Sequence, residues 1–142
     1  MRAIETMELE DDLQAREQET VIHFEEGLIG FADFKHFSLQ ENDYLAPFRL
    51  LKAVESKDVG FLVLDPTTRT PDYCHMVPDR EWESVGMTDV SRRLAFVTVV
   101  LGATAEKSTA NFQAPLLVNY DNMTGKQVIL TDSPFSVREK LV

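Results

Sequence analysis

The chain has 142 residues, the length of one domain, and its 44% hydrophobic and 27% charged residues exclude wholesale disorder. A single cysteine excludes an intrachain disulfide and any multi-cysteine metal cage. The net charge of −10, from 24 acids against 14 bases, works against direct binding of DNA or RNA, which needs Lys and Arg to neutralise phosphates, but it favours basic protein partners.

Residues 1–19 carry seven acids and two arginines, half of the net charge. Leu9 and Leu13 share a helical spacing that nothing extends, so this zone reads as an acidic tail or a loosely attached helix. The opening MRAIETMELEDD lacks the apolar stretch of a signal peptide. The longest apolar run, Leu94–Leu101, is broken by Thr98 and is far short of the roughly 20 residues of a membrane helix. The expected location is the cytoplasm, away from membranes.

A single domain is expected over residues 20–142. Val21–Phe24 reads as a strand, followed by Gly27-Leu28-Ile29-Gly30-Phe31, whose two glycines suit a tight turn. Phe34–Leu39, Phe48–Val54 and Gly60–Leu64 follow as strands, with Pro47 opening the second and Glu55-Ser56-Lys57-Asp58 linking the last two. Asp65-Pro66 breaks the pattern. Tyr73–Val77 is predicted as a further strand. A short helix starts at Pro78, runs through Glu81, Trp82 and Glu83 to about Val85, and stops at Gly86.

Arg93–Leu101 is the strongest strand pattern, apolar on both faces. Leu116–Asn119 and Gln127–Leu130 flank the turn-forming Asp121–Gly125 as a hairpin, and Ser133-Pro134 suits the cap of a last helix, Phe135–Leu141. Seven or eight short strands with frequent turns and one or two short helices predict an all-β class, a small antiparallel barrel or sandwich.

Candidates for chemistry are few. His23, His36 and His75 have no zinc-motif spacing. Adjacent Cys74 and His75 would point to opposite faces of a strand, which opposes a thiolate–imidazole pair. Asp65, Asp72 and His75 around one barrel mouth would be the residues of an alternative, enzymatic or ligand-binding, reading. No metal, cofactor or catalytic set is expected. The acids Glu55 and Asp58 on a hairpin, and Glu81, Trp82 and Glu83 on the short helix, are candidate partner contacts.

The segment from Phe24 through Gly27 and Gly30 to Phe31 resembles the F-x-x-G-(L/I)-x-G-F signature of the flagellar assembly factor FliW family. Pro47-Phe48 and Asp65-Pro66 stand in that family's order. Thr109–Asn119, with Asn111, Ala114, Pro115 and Asn119, is similar to its T-x-N-L-x-A-P segment, and Gly125-Lys126-Gln127-Val128-Ile129-Leu130 to its G-K-Q hairpin arm. Ile29 stands where the family usually has Pro, Phe112 replaces Leu, and the usual opening T-x-(F/Y)-G strand is not found in residues 1–19. The resemblance implies a compact β-barrel-like fold without catalysis and two protein partners. These are CsrA, a dimeric RNA-binding repressor of translation whose hold on the flagellin message is relieved, and cytosolic flagellin, bound as by a chaperone. The signature residues themselves read as structural, holding turns and backbone.

Overall fold

The computed structural model describes residues 20–141; the acidic zone 1–19, with the expectation of a tail or loose helix, lies outside the described residues. Nine strands follow in chain order: β1 (Thr20–Phe24), β2 (His36–Gln40), β3 (Arg49–Ala53), β4 (Gly60–Leu64), β5 (Leu94–Val100), β6 (Thr109–Ala110), β7 (Leu116–Asn119), β8 (Thr124–Gln127) and β9 (Glu139–Lys140). They form one sheet in the order β4-β3-β2-β1-β8-β7-β5-β6-β9, and a further β4–β5 pairing closes seven strands into a barrel. All pairings are antiparallel except β1 with β8, where His23 and Phe24 run parallel to Thr124 and Gly125.

Strand alternation divides the apolar residues into two cores. Ile22, Phe24, Phe37, Leu39, Leu51, Ala53, Val63, Phe96, Leu116 and Val118 fill the barrel interior. Ala95, Val97, Val99, Ala110, Leu117 and Leu64 point outwards and form a second core with Tyr73, Val77, Trp82, Val85, Met87, Phe112, Val128 and Leu130. Strand β5 is apolar on both faces because it is the wall between these two cores. Gly125 faces the interior at a point where a Cβ would lie 2.6 Å from the Phe24 ring, so only glycine fits there.

The outer core is roofed by the segment 65–87. Asp65 caps a 3-10 turn, Pro66–Thr68, its Oδ1 accepting from the Thr67 backbone N at 2.9 Å and from the Thr67 hydroxyl at 2.7 Å. The predicted strand Tyr73–Val77 is instead a second 3-10 turn, Tyr73–Met76. Its apolar residues pack as a plug: the Tyr73 ring meets Phe112 edge-on at 5.4 Å and its hydroxyl donates to the Phe112 carbonyl. The one α-helix among the described residues, α1 (Asp79–Ser84), places Asp79 and Glu81 in its first turn, where the helix dipole favours acids. It ends at Gly86, whose φ of +82° stops it.

Two expectations at the C-terminal side change. The second hairpin arm is assigned to Thr124–Gln127 rather than Gln127–Leu130, because the turn closes at Met123, with φ +59°. Val128 and Leu130 continue beyond β8 by donating to the carbonyls of Pro115 and Gln113. The predicted helix Phe135–Leu141 is absent. Phe135 is drawn against Tyr73 and Phe112, with ring centroids 5.3 and 5.5 Å apart, and the chain then turns at Val137 and Arg138 into β9. None of the helices among the described residues is long and apolar enough to cross a membrane.

Candidate partner-binding surfaces

The signature residues of the β1 turn, the β6–β7 loop and β8 meet at one end of the barrel, whereas Pro47 and Phe48 lie at the groove described below and Asp65 and Pro66 in the 3-10 turn over the outer core. Gly27 (φ +68°) and Gly30 (φ +85°) form the tight turn after β1, which a Leu28–Phe31 bridge closes. Asn111 Oδ1 accepts from the backbone N of both Gln113 and Ala114 at 3.1 Å, shaping the loop between β6 and β7. Gln127 joins the two: its Oε1 accepts from the Ile29 backbone N at 2.7 Å and its Nε2 donates to the Ala114 carbonyl at 3.1 Å. Pro115 is buried in the same loop. Buried Asn119 makes a similar joint, donating to the Val85 carbonyl at 2.6 Å and accepting from the Asp121 backbone N at 2.8 Å. Phe24 fills the interior and Phe31 packs against it, 5.1 Å from the Phe61 ring.

Beside this end lies a cleft of about 430 Å³ between the β1 turn, the end of α1 and the β7–β8 turn. Its lining includes His23, Glu25, Glu26, Ser84, Asn122 and Lys126. Glu25 and Glu26 are exposed, and the Lys126 ammonium is taken up by Glu81 at 3.1 Å and the Ser84 hydroxyl at 3.3 Å. The cleft therefore presents an acidic rim. Glu83 is exposed on α1, and Glu55 reaches the same region through a chain of contacts: Glu55 Oε2 to His36 Nδ1 at 2.9 Å, then His36 Nε2 to His23 Nδ1 at 3.2 Å. The hydrogen bond with His36 holds the Glu55 carboxyl below its ordinary range. Asp58 is exposed on the β3–β4 connection and lines none of the clefts described here.

Trp82, a candidate contact from the sequence, is enclosed, with no exposed surface. Its indole N–H donates to the Cys74 carbonyl at 3.2 Å, and the Arg93 guanidinium lies 5.5 Å from its ring. Arg93, itself almost buried, also pairs with Asp79 at 2.8 Å and donates to the Met87 carbonyl, clamping α1 over the outer core. Trp82 thus has no face to offer a partner; its apolar surface is spent on the core.

A second depression has the opposite character. A groove of about 670 Å³ is walled by Phe48, Leu64, Leu101, Ala103 and Leu141, with Pro47 at its border and Arg69 as its one charged lining residue. Leu101 is 56% exposed and neighbouring Val100 68%, so apolar surface continues past the groove. The groove shares no lining residue with the acidic cleft. Sequence periodicity does not reveal it, because its lining comes from four separated stretches, 47–48, 64–69, 101–108 and 141.

Asp65, Asp72 and His75 do not assemble a site. Asp65 is used as a cap, Asp72 and His75 are exposed, and none of the three lines any of these clefts. No three His, Cys, Asp or Glu side chains among the described residues converge to hold a metal ion. Burial pushes the Cys74 thiol up to about 11, which leaves it a poor nucleophile.

The fold and these surfaces define a small closed β-barrel that carries an acidic cleft and a separate apolar groove. The model of the family described as FliW protein matches residues 7–141, and the chain belongs to the FliW family. It is 33% identical over 123 residues to the flagellar assembly factor FliW of Thermoanaerobacter pseudethanolicus, covering 86% of this chain and 82% of that protein. It is 34% identical over 122 residues to that of Leptospira interrogans serogroup Icterohaemorrhagiae serovar copenhageni, covering 85% and 81%. A crystal structure of the flagellar assembly factor FliW superposes with a TM-score of 0.77 at 30% identity, covering 88% of this chain and 86% of that one.

Proposed function

We propose that this protein is a cytoplasmic flagellar assembly factor that works by binding and not by catalysis. Its partners are the translational repressor CsrA and flagellin awaiting export. Bound CsrA is removed from the flagellin message; flagellin bound to the protein lowers the pool available to CsrA, so that flagellin supply regulates its own synthesis. The observation that carries the reading is the pairing of an acidic cleft with an apolar groove that shares none of its residues. A basic, RNA-binding protein suits the exposed acids Glu25 and Glu26 of the cleft, with exposed Glu83 on α1 and Glu55 as further acids nearby. An assembly protein with apolar surface to shield suits the groove around Phe48, Leu101 and Leu141.

Exposed charges are screened over about 8–10 Å at physiological salt, so the two complexes should respond differently to ionic strength. Titrating purified CsrA and purified flagellin at several salt concentrations tests this. CsrA association should slow as salt rises and should slow further in Glu25→Lys/Glu26→Lys. Flagellin binding should depend less on salt and should weaken in Leu101→Asp. Absence of CsrA binding at low salt would defeat the reading.

A further inference from the structure

We propose that His23 and His36 together form a binding site for a divalent transition-metal ion of the zinc class, with Glu55 orienting His36 from behind. The two histidines are direct cross-strand partners on β1 and β2. Phe24, the next residue, donates its backbone N to the Lys35 carbonyl, so the His23–His36 position falls between ladder hydrogen bonds, where facing side chains come closest. Both rings lie on the outer face of the barrel, since Ile22, Phe24 and Phe37 on either side of them point inwards.

The nitrogen geometry is that of a chelate. Glu55 Oε2 lies 2.9 Å from His36 Nδ1. An ionised carboxylate can only accept, so Nδ1 of the neutral ring carries the proton, and His36 Nε2 presents its lone pair. That lone pair faces His23 Nδ1 at 3.2 Å. Two nitrogens bound to one tetrahedral zinc at about 2.0–2.1 Å stand about 3.3 Å apart, so little movement is needed to admit the ion. A carboxylate on the far nitrogen of a ligating histidine is the arrangement that fixes the ring and raises its basicity. The His23 ring then binds through Nδ1 and carries its single proton on Nε2, a tautomer exchange that leaves its charge unchanged. The His36 side chain is 49% exposed, which leaves the remaining coordination positions open to water.

The chain has only three histidines, and His75 stands apart in its own 3-10 turn, so it provides an internal control. The experiment is calorimetric titration of the tag-free full chain with Zn²⁺, alongside long-range ¹H–¹⁵N spectra of the histidine rings. The expected result is one Zn²⁺ per chain, with perturbation at His23 Nδ1 and His36 Nε2 and none at His75. His36→Ala and His23→Ala should each abolish binding. Glu55→Gln should weaken it about 10–100-fold, and His75→Ala should leave it unchanged. Undiminished binding in His36→Ala, or ring signals of the wild-type chain that do not move with millimolar Zn²⁺, would overturn the proposal. The ring spectra decide the matter even if a variant folds poorly.

Discussion

Gln127 holds the signature end of the barrel together, and two substitutions there separate hydrogen bonding from packing. In Gln127→Leu a side chain of similar reach fills the position with hydrocarbon, so the Ile29 N–H and the Ala114 carbonyl lose their partners while water is kept from the buried Ala114 carbonyl. An orphaned buried group costs about 1–3 kcal/mol, which falls on the Ala114 carbonyl; the Ile29 N–H sits in an exposed turn where water replaces the lost bond at little cost, for about 2–3 kcal/mol in total. In Gln127→Ala the vacated space joins a neighbouring cavity of about 160 Å³ lined by Leu28, Ile29, Phe61, Thr98 and Asn111. Water can enter and bridge the two groups, so the cost falls to about 1–2 kcal/mol. The more apolar and bulkier replacement is therefore the worse one. Urea unfolding followed by the fluorescence of Trp82, the chain's single tryptophan, measures both variants; equal slopes would make the midpoints comparable. A leucine variant as stable as the alanine variant would refute the reasoning.

Gly27→Ala should destabilise by about 1–3 kcal/mol more than Gly30→Ala, because its Cβ would meet Ala32 Cα at 2.7 Å whereas Gly30 faces open space; both share the left-handed backbone penalty, and denaturant midpoints give the difference. The Glu55 carboxyl is held low by its bond with His36, so its stabilising effect is present above the ordinary carboxylate range and is lost as pH falls through the depressed folded-state value. A ¹³C titration of that carboxyl in His36→Ala should show the midpoint rising back. Cys74, half-buried against the outer core with its thiol pushed up to about 11, should react slowly with a disulfide reagent at pH 8 in the native protein and fast in urea.

Much of the barrel is legible in the residues because its signals are local. Gly60–Leu64 matches β4, Gly86 ends α1, and the two-sided apolar pattern of β5 reflects its place between two cores. Elsewhere a local signal has two meanings. The run Tyr73–Val77 is apolar because it plugs the outer core, and a short apolar run does not tell a strand from a packed turn. Ser133-Pro134 has the form of a helix cap; the Ser133 hydroxyl does accept from the Phe135 backbone N, but the Tyr73–Phe112 pair captures the Phe135 ring and the chain continues as β9. Strand β6, two residues long, carries no readable period. The surfaces are less legible than the fold: the groove is assembled from distant stretches, and the His23–His36 contact depends on the β1–β2 register, which no spacing within either strand specifies.

Closing the ring has a consequence for how other chains can engage this one. Among the described residues only β9, two residues long, has a single strand neighbour; every other strand is flanked on both sides. An extended segment from another polypeptide therefore finds only short rows of free N–H and C=O groups, such as the part of β1 before its two-residue pairing with β8, along which to add itself as a further strand. Closure of the described strands favours recognition through side chains, where a single charge reversal or apolar-to-charged substitution has leverage. The same closure guards against self-templating: among the described residues, the barrel offers a second copy little more than the short β9 edge on which to extend a sheet.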